Sequence, residues 1–496
     1  MERSAGILLP IFSLPGKYGI GSLGKEARNF ADFLKESGQK WWQILPVGPI
    51  GAGNSPYASP STFAGNPLLI DLELLAEDGL LTASELKSAQ VKSSDGIDYE
   101  NLKKTREPLL RKAFARMNAE KMAAVWAFAE EKRWVKDYAL FCAAQTHFEN
   151  RAWYDWPDAG LRRHEAEAIA RWREDLAEDV AFHTCVQYWF FTQWAALKKH
   201  VNDLGIKIIG DIPIYVSLNS ADVWAEREQF LLDEEGVPSK VAGVPPDYFS
   251  EEGQLWGNPL YNWEYMRADG FGWWIRRVDG AIQLFDTIRI DHFRGLESYW
   301  AVPADSDTAK VGQWEKGPGM DLLRVLTSWF WYADVNYIAE DLGLLTDAVH
   351  ELRDQSGLPG MKVLQFAFDN PGNAYLPHNY PAHCICYTGT HDNNTLVGWY
   401  TAAGKEERDF VAQYLGVRDD VEAVRQAVLQ CGQRSVAELF IAQMQDYLAL
   451  GEEGRINVPG IAENNWGWRM LPRKTTRKLA AEIRALTYTF GRCGKE

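Results

Sequence analysis

"DTIRIDHFRG", residues 286–295, begins as a buried strand and ends as something else. Ile288 and Ile290 are β-branched and alternate, as a strand requires. Arg289, Asp291, His292 and Arg294 then crowd into six residues. Burying that much charge costs several kcal/mol unless each group is paired or used. Such a strand end needs partners from elsewhere in the fold.

Short apolar runs recur on both sides of this stretch, with helical patterns between most of them. They are "AGILLPIF" (5–12), "WWQILPV" (41–47), "IKIIGDIPIYV" (206–216), "FDTIRIDHF" (285–293), "VNYIAEDLG" (335–343), "MKVLQFAF" (361–368), "CICYTGTHD" (384–392) and "RINVPG" (455–460). "KEARNFADFLKESG" (25–38), the long run 180–205 stopped by Gly205, and "TTRKLAAEIRALTYTF" (475–490) read as helices. Eight strands alternating with helices predict an α/β fold with a parallel sheet closed into a (β/α)8 TIM barrel. An open doubly wound sheet is the alternative, but no GxGxxG follows any strand.

The second and third strands lie too far apart for one crossover. Much of the gap is helical in pattern. The expectation is one catalytic barrel chain, 1–496, carrying an inserted helical subdomain at about 76–180 and an active-site loop insertion at about 217–260.

Composition narrows the function. The chain has 496 residues, 46% hydrophobic and 24% charged, which is ordinary globular material. A formal net charge of −16 argues against nucleic acid and against anionic membrane as partners. Six cysteines form no CxxC and no zinc spacing, which fits free thiols. The opening "MERSAGILLPIFSLPGKYGIG" reads as neither signal peptide nor spanning helix, and a cytoplasmic location is expected. The 21 Trp, 20 Tyr and 22 Phe are many, and several sit in loops, where an aromatic ring can stack on the apolar face of a sugar or simply anchor the loop.

The strand ends carry the chemistry. The third strand holds Asp211. The fourth ends in Arg289, Asp291 and His292, the fifth in Glu340 and Asp341, the sixth in Asp369, and the seventh in His391 and Asp392. A single acid at such a place commonly caps the next helix. Acids at five strand ends would repel one another in one mouth unless Arg289, a ligand or a metal offsets them. Two chemistries fit. In glycosyl transfer, one carboxylate attacks the anomeric carbon and a second, protonated, gives its proton to the leaving oxygen. Arg289 shares a strand face with Asp291 and would keep it ionised, while Glu340 would need a raised pKa to serve as the acid. In metal-assisted hydrolysis, Asp291, His292, His391 and Asp392 would be ligands. Against this, no HxH follows an early strand, and each His–Asp pair puts neighbours on opposite faces.

"RIDHFRG", "IAEDLG" and "THDNNT", in that order, resemble the motifs of the 4-α-glucanotransferases, the amylomaltase or disproportionating-enzyme family related to the α-amylase clan. "LLPIFSLPGKYGIGSLG", "SPYASPSTFAGNPLLIDL" (55–72), "GDIPIYV", "GVPPDYFSEEGQLWGNPLY" (243–261) and "NNWGWR" (464–469) extend the resemblance over essentially the whole chain. It implies Asp291 as nucleophile, Glu340 as general acid/base, and Asp392 gripping hydroxyls of the reacting sugar and helping distort it. It implies substrate contacts for Arg289, His391, Tyr57, Asp211, Trp256, Ser55, Asp341, Asp369 and Asn465. No metal and no organic cofactor is implied. The implied partners are α-1,4-glucans and maltooligosaccharides as donors, with glucose or another glucan as acceptor. An α-1,4-glucan hydrolase of the same clan is the nearest alternative. Transfer must also beat water, and Pro245, Pro246, Tyr248, Phe249 and Trp256 would give the 243–261 loop a stiff, apolar surface over the cleft.

Overall fold

A computed structural model describes residues 2–246, 250–333, 335–343, 345–461 and 463–493. Twelve strands are numbered in chain order: β1 Ser4–Leu8, β2 Trp41–Gln43, β3 Lys207–Ile212, β4 Lys240–Val244, β5 Gln254–Pro259, β6 Thr287–Ile290, β7 Ser298–Pro303, β8 Gln313–Lys316, β9 Asn336–Ala339, β10 Gly360–Val363, β11 Cys384–Tyr387 and β12 Leu439–Gln443.

Eight of these form one parallel sheet in the order β10-β11-β12-β1-β2-β3-β6-β9. Its two outer strands approach each other, and the Ala339 amide donates to the Pro359 carbonyl at 3.0 Å. The result is the expected (β/α)8 barrel. Its strands are buried on both faces, as in the fully buried pattern of β1, β2, β11 and β12. Trp42 is one of the largest fully buried side chains, and its indole donates to the Leu9 carbonyl at 2.8 Å. The helix Lys25–Glu36 shows how the outer ring is made. It buries Ala27, Phe30, Ala31, Phe33 and Leu34 along one stripe and stops at Gly38, whose φ of +74° suits glycine.

One strand expectation is corrected. Residues 455–460 are not a strand, and the eighth barrel strand is β12. β12 pairs with both β11 and β1, and all five of its residues are buried. A second difference lies at the mouth. β5, β4, β7 and β8 form a four-stranded antiparallel sheet, so the 217–260 stretch is not loop throughout.

Between β2 and β3 the chain is mainly helical, including Tyr99–Phe114, Ala119–Glu131, Trp134–His147 and the long Ala177–Asp203. Two glutamines on that last helix clamp the loop before it. Gln187 exchanges two hydrogen bonds with the Gly65 backbone, and Gln193 does the same with Asp71. The loop is thereby held against the barrel rim, with its backbone groups satisfied.

Candidate active site

Strand register assembles the first half of the site. β3 and β6 pair with Asp211 opposite Arg289 and Ile212 opposite Ile290; β6 and β9 pair with Ile290 opposite Ala339. The ladder continues one step further: the Asp291 amide donates to Ile212 at 3.0 Å and the Glu340 amide to Ile290 at 3.1 Å. Asp211, Arg289, Asp291 and Glu340 therefore meet because three adjacent strands end level.

Arg289 Nη1 donates to Asp211 Oδ2 at 2.6 Å and to Asp291 Oδ1 at 2.9 Å. The guanidinium and the Asp211 carboxylate are almost completely buried. Burial alone would lower the pKa of Arg289, but Asp211 and Asp291 outweigh it and raise it. Burial pushes Asp291 and Glu340 up from the ordinary carboxylate range, against the pull of Arg289 on both. The guanidinium thus acts in the expected direction on Asp291. It does not prevail there, because burial opposes it and Asp211, Glu340 and Asp392 add negative charge beside Asp291. The raised Glu340 agrees with the expectation.

Glu340 is fixed by backbone. Its Oε2 accepts the His292 amide at 2.7 Å and its Oε1 the Leu342 amide at 3.0 Å. The first of these bonds accompanies a left-handed backbone at His292, with φ 51° and ψ 49°, an uncommon state for a non-glycine residue. Burial lowers the His292 imidazole to about 3, so it is neutral. Its ring meets the edge of Trp256 with centroids 4.8 Å apart.

The end of β11 supplies the second half. Asp392 lies in a tight turn in which the Asn393 side chain accepts the Thr390 amide at 2.8 Å and Thr390 Oγ1 accepts the Asp392 amide at 3.2 Å. A Cβ at Gly389 would stand 2.6 Å from Gln365 Nε2 and 2.8 Å from Gln443 Nε2, so a side chain there would displace both amides. Those two amides both reach the Asn394 carbonyl. His391 Nε2 is 3.4 Å from Asp392 Oδ1, and burial lowers the pKa of this histidine. Its ring stacks on Tyr57, with centroids 5.0 Å apart and planes at 17°. Tyr57 in turn donates to Asp211 Oδ2 at 2.7 Å, which ties the two halves together.

Other expected site residues take different places. Ser55 caps the short turn Pro56–Ala58 by accepting the Tyr57 amide at 3.2 Å, so it orients Tyr57. Trp256 lies half-exposed on β5 above His292. Asp341 faces away from Glu340, and its carboxylate accepts Arg353 Nη1 at 2.7 Å and the Met361 amide at 2.6 Å. Asp369 lies beyond the end of β10 on an exposed turn, accepting from Asn370 and Asn373. Asn465 braces its own loop through Val458 and Ile461. Tyr248 and Phe249 lie outside the described residues. Among the described residues, no group of three or more His, Cys, Asp or Glu is arranged to hold a metal ion.

The structure adds residues that the strand-end argument passes over. Asn457 Nδ2 donates to Asp392 Oδ1 at 2.6 Å, and Arg455 Nη2 donates to the Asp392 carbonyl at 2.8 Å. The segment read as a strand is instead a brace beneath Asp392. Trp466 packs against both Tyr57 and His391, at centroid distances of 5.6 and 5.9 Å. Its signal was present in "NNWGWR"; Asn457 offered none, since the stretch that holds it reads as a strand.

Comparison with known proteins gives a consistent picture. A family model described as 4-alpha-glucanotransferase matches residues 9–475. A 4-alpha-glucanotransferase of Thermus thermophilus is 49% identical over 98% of both chains. A chloroplastic/amyloplastic 4-alpha-glucanotransferase of Solanum tuberosum is 41% identical, over 99% of this chain and 87% of its own. The solved amylomaltase from Streptococcus agalactiae in complex with acarbose superposes with a TM-score of 0.96 at 39% identity, covering 99% of this chain and 100% of its own.

Proposed function

The chain belongs to the 4-alpha-glucanotransferase family, and on that premise we propose that Asp291, Glu340 and Asp392 carry out its glycosyl transfer. The observation that carries the assignment is the Arg289 guanidinium shared between Asp211 and Asp291, beside a backbone-held Glu340.

In this reading an Asp291 oxygen attacks the anomeric carbon of an α-1,4-glucan as the bond to the leaving 4-oxygen breaks. The Glu340 proton goes to that oxygen, and the reducing-end fragment departs. The glucanyl ester on Asp291 is then attacked by the 4-hydroxyl of glucose or another glucan. Glu340 takes the hydroxyl proton, Asp291 leaves, and two displacements retain the configuration. The coupled acids hold protons as a set. We assign the proton to Glu340 because a guanidinium donates directly to Asp291, whereas the acceptors on Glu340 meet neutral amides.

Asp392 and His391 would bind hydroxyls of the reacting sugar, with Tyr57 and Trp466 as its aromatic walls. Asp211 acts through Arg289 and Tyr57, and Ser55 through Tyr57. Trp256 would cover the leaving-group side. The contacts of Asp341, Asp369 and Asn465 favour roles in holding loops. Maltooligosaccharides are the proposed donors, as the acarbose complex of the similar amylomaltase supports.

The 76–180 helices read as a wall of one catalytic unit, since Leu102, Leu110 and Phe141 join the same apolar cluster as Ile7 and Ile288. A cytoplasmic site of action is proposed from the free thiols of Cys142, Cys185, Cys384, Cys386 and Cys431. The test is incubation with maltotriose in EDTA. Longer maltooligosaccharides and glucose at constant total reducing ends are expected. A rise in reducing ends without longer products would mean a hydrolase.

A further inference from the structure

Arg277 is a buried charge that the chemistry at the strand ends does not use. It lies on the helix Gly272–Leu284 and is only 2% exposed. Burying a guanidinium is costly unless its donors are satisfied. Here they are, by three separate segments. Nε donates to Thr62 Oγ1 at 2.8 Å. Nη1 donates to the Ile214 carbonyl at 3.0 Å and to the Tyr261 hydroxyl at 3.1 Å. Nη2 donates to the Pro213 carbonyl. The indoles of Trp273 and Trp274 flank the cation, with ring centroids 5.3 and 4.9 Å from Cζ.

Each segment leads to a different part of the site. Pro213 and Ile214 follow directly on β3, which holds Asp211. Thr62 lies on the loop that carries Tyr57. Tyr261 comes just after β5, which carries Trp256. The β5 side is tied twice more to the chain after β3: the Tyr261 hydroxyl donates to the Ile214 carbonyl at 2.6 Å, and Asn258 Nδ2 to the Val216 carbonyl at 2.8 Å.

Packing alone does not fix the Tyr57 loop against this helix. A cavity of about 60 Å³ intervenes, lined by Tyr57 and Thr62 from the loop, Asp211 from β3, and Arg277 and Ala281 from the helix, among others. Side chains facing a void lose contacts on that side. Thr62 is gripped by hydrogen bonds instead, its hydroxyl by Arg277 and its amide by Asp222 Oδ2 at 2.9 Å.

We propose that Arg277 is a positioning residue for the transfer reaction. It sets the spacing between the Tyr57 wall, beside the reacting sugar, and the Trp256 wall, on the leaving-group side. The roles of those walls rest on the glucanotransferase reading of the mouth. Arginine suits this place because its planar fork sends donors to several segments at once; lysine has the same charge on a single nitrogen. The spacing matters to rate because small misplacements of reacting groups are costly. It matters to outcome because water reaches the glucanyl ester where the cover lifts.

The experiment compares the full-length protein with Arg277→Lys and with two variants that each cut one arm. Thr62→Val removes the acceptor on the Tyr57 side and keeps the amide bond to Asp222. Tyr261→Phe removes the hydroxyl on the Trp256 side. Each is assayed on maltotriose for kcat, KM and the ratio of hydrolysis to transfer, and its unfolding midpoint is measured. Thr62→Val should lower kcat about tenfold with little change in KM. Tyr261→Phe should raise the ratio of hydrolysis to transfer at least about threefold. Arg277→Lys should do both. Lower unfolding midpoints with kcat and the ratio unchanged would make Arg277 a structural residue only and overturn the proposal. If Arg277→Lys does not fold, the single-arm variants decide: an unchanged kcat in Thr62→Val together with an unchanged ratio in Tyr261→Phe overturns it equally. A wild-type protein that fails to disproportionate maltotriose would instead overturn the reading of the mouth.

Discussion

Asp211 and Arg289 sit opposite each other in the register of two adjacent barrel strands and share a 2.6 Å hydrogen bond almost wholly out of solvent. The pair is the keel of the site, because Tyr57 hangs on Asp211 and Asp291 on Arg289. Breaking such a pair by removing one partner leaves a buried charge uncompensated. Asp211→Ala should destabilise the fold by roughly 3–5 kcal/mol and abolish transfer. Thermal unfolding and maltotriose turnover check this; a variant of wild-type stability would show that the pair is not the anchor described here.

Asn457 should matter to rate more than to stability. It reaches Asp392 Oδ1 from a loop at the barrel mouth, buried but outside the apolar core. Asn457→Ala should lower kcat/KM on maltotriose by about 10- to 100-fold, the usual consequence of a catalytic group displaced by an ångström. The unfolding midpoint should move little. An unchanged kcat/KM would free Asp392 from dependence on this brace.

The pH dependence of activity follows from the raised carboxylates. Glu340 must carry a proton at the start of the cycle, and burial raises its pKa. Activity should therefore fall as pH rises through that elevated value, and fall again at low pH as the Asp291–Glu340 set takes up its remaining proton. A profile of kcat/KM on maltotriose that stays flat to about pH 9 would contradict the assignment.

Stability should respond to pH through Asp446, a buried acid outside the mouth. Burial raises it to about 6, although Thr388 Oγ1 donates to it at 2.6 Å and the Leu396 amide at 2.7 Å. The folded state therefore binds its proton more tightly than the unfolded chain does. Its contribution is fully present below the unfolded value of about 3.9 and is lost as pH rises through about 6, a change on the order of 3 kcal/mol. Asp446→Asn should gain stability relative to wild type between pH 4 and pH 7. A difference that does not change with pH would refute this.

Trp256 tests the cover over the mouth. It lies on β5, partly exposed, against the neutral His292 ring. Trp256→Ala should raise the ratio of hydrolysis to transfer by admitting water to the glucanyl ester. Product chromatography with a reducing-end assay reads the ratio; an unchanged ratio would place the water barrier elsewhere.

The mouth was legible in the sequence because charge at the end of a buried strand is expensive and therefore conspicuous. "RIDH", "IAED" and "THDN" advertise themselves in this way. The eighth strand did not. "LFIAQ" (439–443) is apolar on both faces and follows directly on helical sequence, so periodicity cannot separate it from a buried helix. "RINVPG" has β-branched residues and turn residues in the right places but packs as a brace instead. Asp341 and Asp369 show the converse limit. An acid beside a strand end is visible, but whether it faces the mouth or a neighbouring arginine depends on one step of register or the path of a turn.

The central claim is that Asp291 becomes glycosylated while Glu340 handles the proton. Its most direct test uses Glu340→Gln with a maltosyl fluoride, whose fluoride leaves without needing an acid. The account predicts a trapped glucanyl ester, found by mass spectrometry on the peptide that carries Asp291. An adduct on the peptide carrying Asp392, or no adduct while the fluoride is consumed, would contradict it.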